Sequence, residues 1–214
     1  MRLRLTILVL AVWLLGGPVG AEGPAPRVLT PSDYVAGAYA IDQRYGSIRF
    51  SVSHLGLFAS EGGFATFTGR VIVDPLSTQR TSVEVDIDAA SLDMTWQEAA
   101  VMLRSNDYFD VPHFPHIRFH STSVEIVKSD HYEIHGMLDL RGITRPVTLD
   151  AVLVGAVLVG QPNDTAARTV ADFMVTGRID RSQFAMTADR SFISDLVDLR
   201  IRARIALTPV GHGR

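Results

Sequence analysis

The sequence predicts an all-β chain of about eight antiparallel strands with one short helix, preceded by an export signal. Three observations carry this prediction. From Ile48 to Leu207 apolar residues alternate with polar or small ones, as Ile48, Phe50 and Val52 do at the start and Val197, Leu199, Ile201, Ala203, Ile205 and Leu207 at the end. A strand turns successive side chains to opposite faces, so a period of two describes sheets with one apolar and one wet face. Only residues 93–105 change to the three-and-four spacing of a helix, and residues 1–21 have the make-up of a signal peptide.

The elements follow in order. Residues 1–4 are basic, 5–15 form an uninterrupted apolar run, and 16–21 are small and flexible, ending in Val19, Gly20 and Ala21. The run is shorter than the roughly 20 residues that a membrane-spanning helix needs, so cleavage after Ala21 and export to the periplasm or outside the cell are expected. Residues 22–38 read as a flexible leader. A short strand at 39–42 turns near Tyr45 and Gly46 into a strand at 47–54; the glycines at 56, 62 and 63 mark 55–63 as a loop. The next strand, 64–74, ends at Pro75, which has no N–H for a ladder. In 81–88, Val83, Val85 and Ile87 share one face and Glu84, Asp86 and Asp88 the other.

Trp96, Ala99, Ala100 and Leu103 give the helix its apolar stripe, with Asp93 or Thr95 as its cap. Residues 106–115 read as an ordered loop carrying Tyr108, Phe109 and Phe114. Strands at 116–127 and 131–140 form a hairpin through Lys128, Ser129 and Asp130. Arg141 and Gly142 break the chain before a strand at 146–154, and the apolar segment 155–159 either extends that strand or crosses an edge. After a loop at 161–164 come two long strands, 169–179 and 196–208; no periodicity assigns 180–195. The domain is read as 39–209, with a tail at 210–214. Such a series makes a sandwich or a closed barrel, and alternation alone does not choose between them.

Composition excludes several functions. The formal net charge is -3, and loss of Arg2 and Arg4 with the signal makes the remainder more acidic, so nucleic acid is not an expected partner. There is no cysteine, hence no thiolate metal site, no covalent haem and no cysteine nucleophile. His131 and His135, like His116 and His120, are four apart on predicted strands, roughly 13 Å along the chain. One metal ion with nitrogens at about 2 Å is not chelated by such a pair. The expected hairpin register puts His120 near Asp139 and His135 near Val124, which does not join the pairs; His113 and His116 flank a loop. No G-x-S-x-G, H-E-x-x-H or phosphate-binding loop is present, and Asp86 and Asp88 lie on a solvent-facing side. Ser105, Asn106 and Asp107 match a β-lactamase tripeptide without its companion motifs.

The aromatic residues point elsewhere. Phe50, Phe64 or Phe67, Phe109, Phe114, Phe119 and Phe173 lie on strands or beside the helix. Such rings either fill a barrel or line a tunnel for an apolar ligand, with the helix and the aromatic loop as a cover. His54 falls in phase with Ile48, Phe50 and Val52, as a satisfied core group or as a partner for a ligand's polar head.

The ordered segments YAID at 39–42, IRFSVSH at 48–54, GF at 63–64 with FTG at 67–69, LRSNDYFD at 103–110, FPHIRF at 114–119, GMLDLRGITRPV at 136–147 and RIDR at 178–181 resemble the YceI-like family of bacterial extracytoplasmic proteins. The resemblance implies an extended eight-stranded antiparallel, lipocalin-like β-barrel around a hydrophobic channel, with one short helix near its mouth. It also implies binding of isoprenoid chains such as a polyisoprenoid or an isoprenoid quinone, with no cofactor, no metal and no catalysis. It carries Phe50, Val52 and His54 over as channel or mouth residues, Phe67 as part of the matching GF…FTG segment, and Leu103, Tyr108, Phe109, Phe114 and Phe119 as lid and adjoining wall. Two positions depart from the family pattern: Val101 stands where a histidine is usual, and Ala185 where a glycine is. Transient membrane contact is compatible with this reading, and oligomeric state, including a dimer, is left open. The alternatives are a hydrolase built on His54 and a structural or stress-related module without an internal ligand.

Overall fold

The computed structural model describes residues 36–74, 77, 80–159 and 168–207. The expected signal peptide, most of the expected leader, the 161–164 loop and the C-terminal tail lie outside the described residues. Among the described residues eleven strands form: β1 (Gly37–Ile41), β2 (Ser47–His54), β3 (Phe58–Phe64), β4 (Phe67–Val73), β5 (Ser82–Asp88), β6 (Leu92–Met94), β7 (His116–Lys128), β8 (His131–Leu140), β9 (Ile143–Val159), β10 (Arg168–Asp180) and β11 (Ile193–Leu207). The α-helix α1 (Gln97–Leu103) follows β6.

These are eight staves, because three of them are interrupted. β1 and β2 are separated by a 3-10 turn at Gln43–Tyr45, β3 and β4 by two residues, and β5 and β6 by a 3-10 turn at Ala89–Ser91. β2 pairs with β3 and β1 with β4 in nearly the same register, so each pair of segments acts as one long strand. Every stave is antiparallel to its sequence neighbour. β11 closes the circle, pairing with β1 at one end and β2 at the other. Closure removes free sheet edges, and it decides between the barrel and the sandwich.

Several expectations are corrected. Residues 58–63 are strand, not loop: the glycines at 62 and 63 are there because Phe50, Met94 and the Ile48 backbone leave no room for a Cβ. Gly37 and Ala38 belong to β1 and not to the leader. The helix is shorter than 93–105 and starts at Gln97, with no side-chain cap from Asp93 or Thr95. Residues 92–94 pair instead with 62–64, and a sheet ladder outweighs a helix cap. β9 begins at Ile143 and runs unbroken to Val159. Pro146 is tolerated because it lies beyond the level where β10 begins to pair, at Gly177 opposite Leu149. The apolar run 151–159 extends the strand across a bulge at Asp172/Phe173, which moves the inward positions from Ala151 and Leu153 to Ala156 and Leu158. β11 begins at Ile193, and Arg181–Phe184 is a 3-10 turn. Bulges in the β7–β8 hairpin place His120 opposite Met137 and His135 opposite Ser123, off the expected register.

Candidate ligand-binding site

The inward residues of the eight staves do not fill the barrel. Two cavities lie along its axis, of about 310 and 320 Å³, the size range of small-molecule sites. The upper one is at the end that carries α1. Its wall is apolar, with Phe50, Val52, Phe67, Phe119, Leu138 and Val197 among its residues. The lower one lies toward the opposite end and includes Tyr39, Val71, Tyr132, Ile134, Phe173 and Ile205. Alternation supplies both walls: each strand sends every second side chain inward.

The helix end is covered by pieces that sequence-distant arginines tie together. Ala99, Met102 and Leu103 of α1 face the upper cavity. Arg104 anchors the end of α1 to the wall, donating from Nη2 to Leu92 O at 2.5 Å and from Nε to Ala90 O at 3.2 Å. The following loop folds back, with Phe109 N donating to Leu103 O. The Phe109 ring meets Phe64 edge-on at 5.6 Å and lies 6.2 Å from Phe50. Arg141 joins this loop to the 180–192 segment through Asn106 O at 2.9 Å and Ala185 O at 2.7 Å.

Residues with polar side chains also line the upper cavity, among them Arg181, Tyr108, His54 and Ser60. Arg181 is 4% exposed. It donates from Nε to Ser194 O, from Nη1 to Met186 O and Ala188 O, and from Nη2 to Ile193 O, all within 3.0 Å; Asp195 lies 3.6 Å from Nη2. Its guanidinium therefore pins the 181–195 segment. Tyr108 closes the same segment by donating to Asp189 at 2.5 Å. Burial, reinforced by the Asp189 carboxylate, pushes the Tyr108 hydroxyl up to about 12, so it stays a donor. His54 differs: its Nε2 is buried with no hydrogen-bond partner among the described residues, while its ring stacks on Phe58 at 4.9 Å. No acid or nucleophile among the described residues bonds that Nε2.

Of the nine ligand-binding residues expected from sequence, Phe50, Val52, His54, Phe67, Leu103, Tyr108, Phe109 and Phe119 line the upper cavity. Phe114 does not: its ring covers Gly142, whose Cβ would lie 2.7 Å from Phe114 Cε1. Val101 is 68% exposed on the outer side of α1, so its departure from the family pattern does not touch the cavity. Ala185 is in the left-handed region at φ 58, where glycine is unstrained. Sequence reasoning missed Arg181 as a wall residue and the whole lower cavity, although the period-two pattern contains Tyr39, Tyr132 and Val175. Phe173 was picked out, and it lines the lower cavity.

The outward groups are engaged on the surface. Burial alone would raise the Asp86 carboxyl, but hydrogen bonds from His116 at 2.7 Å and Arg118 at 2.9 Å hold it below its usual range. Asp88 caps the turn at Ala89–Ser91. His113 bonds Asp110 and His135 bonds Thr148, and no group of three potential metal ligands comes together among the described residues. Around the helix end Leu55, Leu57, Phe58, Trp96 and Phe192 are exposed.

Comparison with known proteins agrees with this geometry. The YceI-like domain family matches residues 39–205. Protein YceI of Salmonella arizonae is 34% identical over 179 residues, covering 83% of this chain and 91% of the relative. Among solved structures, Burkholderia cenocepacia BcnA superposes with a TM-score of 0.65 at 22% identity, covering 78% of this chain and 99% of BcnA. A polyisoprenoid binding domain from Saccharophagus degradans superposes at 0.58 with 14% identity, covering 79% and 98% of the two chains. The Campylobacter jejuni YceI protein gives 0.59 at 23% identity, covering 69% and 84%.

Proposed function

This chain belongs to the YceI-like family, and from that premise we propose that it is a non-catalytic carrier of an isoprenoid-like or similar long-chain amphiphile. The observation that carries the reading is the apolar lumen with a buried polar atom at its helix end, His54 Nε2, that has no partner among the described residues. Each CH₂ moved from water into such a lumen contributes about 0.8 kcal/mol. An unpaired buried polar group costs about 1–3 kcal/mol. A ligand with an apolar tail and a hydroxyl or carbonyl head answers both. The name of the Saccharophagus degradans neighbour, a polyisoprenoid binding domain, supports the same ligand class.

Arg181 is poorly placed to serve the ligand head, because four of its five N–H donors bond carbonyls and Asp195 lies 3.6 Å from Nη2. That favours a neutral head over a phosphate. The exposed apolar residues around the helix end support a transient bilayer contact during loading. The basic-then-apolar residues 1–21 support export, with the carrier acting in the periplasm or outside the cell. Organic extraction of gently purified protein is expected to yield a stoichiometric long-chain amphiphile. A protein that yields none, and takes up none from vesicles, contradicts the reading.

A further inference from the structure

The two cavities meet at a waist where Ile41 and Ala203 line both. On three staves the inward position at this level is glycine. Gly69 lies between Phe67 above and Val71 below, Gly136 between Leu138 and Ile134, and Gly177 between Ile179 and Val175. Each glycine is covered by a large neighbour. An added Cβ would lie 2.3 Å from Ile41 Cδ1 at Gly69, 2.4 Å from Phe119 Cε2 at Gly136, and 2.5 Å from Leu149 Cδ2 at Gly177. None of the three has a positive φ, so backbone conformation does not require glycine there. Space does.

We propose that Gly69, Gly136 and Gly177 set ligand length: they recess Ile41, Phe119 and Leu149 into the wall and keep a passage between the cavities. The inference rests on the carrier reading and narrows it to amphiphiles with a single apolar chain long enough to thread the waist. From Ile193, opposite His54, to Ile205 in the lower cavity, β11 advances about 30 Å along the axis, from the usual rise and tilt of barrel strands. A short chain fills the upper cavity alone; a long one runs from His54 past Ile41 to Tyr132 and Phe173. A covered glycine can also serve sheet stability alone, and chain-length selectivity separates the two roles.

The test uses farnesol as a short probe and solanesol as a long one, both labelled and delivered from phosphatidylcholine vesicles, with thermal unfolding as the control. Gly177→Ala is the cleanest variant, since beyond the flexible tip of Leu149 its nearest contact is Thr148 O at an ordinary 3.4 Å. Gly69→Ala, which meets Ile41, is the second. Both are expected to hold farnesol within about twofold of wild type and to lose solanesol by about tenfold or more. Gly177→Ala combined with Leu149→Ala, which removes the displaced side chain, is expected to regain solanesol. Folded variants that bind solanesol as wild type does, or that lose both probes together, overturn the proposal. So does a wild type that takes farnesol and refuses solanesol, with the carrier reading left standing. A wild type that binds neither probe overturns the carrier reading itself.

Discussion

Arg181 and His54 face the same apolar cavity from opposite sides of one strand pairing, Ile193 being the partner of His54 in β11 and its carbonyl an acceptor for Arg181. One is saturated and the other is not. Four backbone carbonyls and a nearby carboxylate surround Arg181; Nε2 of His54 has no partner among the described residues. A saturated buried charge organises the segment around it. An unsaturated buried atom leaves a vacant hydrogen-bonding valence. In the proposed carrier, Arg181 therefore serves the architecture of the wall, and His54 is the group available to a ligand head.

The largest test of that contrast is Arg181→Met. It leaves buried carbonyls unpaired and is expected to cost about 3–5 kcal/mol in urea unfolding. Arg181→Lys is expected to recover little, because an ammonium cannot fork between Nε and both Nη positions. A near-neutral Arg181→Met would break the comparison. Tyr108 sharpens it by pH. Its folded pKa is raised from 10.0 to about 12, so its contribution is full below pH 10.0 and disappears as pH rises toward 12. The amount is about 2–3 kcal/mol, visible as an alkaline loss of stability that Tyr108→Phe abolishes.

His54→Leu is expected to stabilise the ligand-free protein by about 1–2 kcal/mol, because no native hydrogen bond is lost and an unpaired buried atom is removed. The same change should weaken a hydroxyl-headed chain about five- to tenfold and leave a headless hydrocarbon of equal length unaffected, as measured by equilibrium binding. Equal losses for both chains would place the head elsewhere. The smallest effect is at Ala185, in the segment that Arg181 pins. Ala185→Gly relieves a left-handed alanine and is expected to stabilise by about 0.5–1 kcal/mol in thermal unfolding, after the entropic cost of glycine.

The wall was legible in the sequence because burial on one face of a strand imposes a period of two, and Phe50, Val52 and His54 show it within seven residues. The interruptions were not legible. The strand at Phe58–Phe64 exists because β2 and β6 flank it, and glycines that read locally as loop are required by Phe50 and Met94. Arg181 stands out in the sequence only within the RIDR segment, since nothing local tells that four carbonyls from a segment without periodicity converge on it. Phe114 looked like its aromatic neighbours, but it was turned away from the lumen by the loop that carries it.

The most direct test of a lumen that holds one threaded amphiphile is a crystal structure of the protein loaded with solanesol. Its hydroxyl is expected within about 3.2 Å of His54 Nε2, with continuous chain density past Ile41 to Tyr132 and Phe173. Density for the prenol on the outer face, or a lumen closed by side chains after loading, would contradict this expectation.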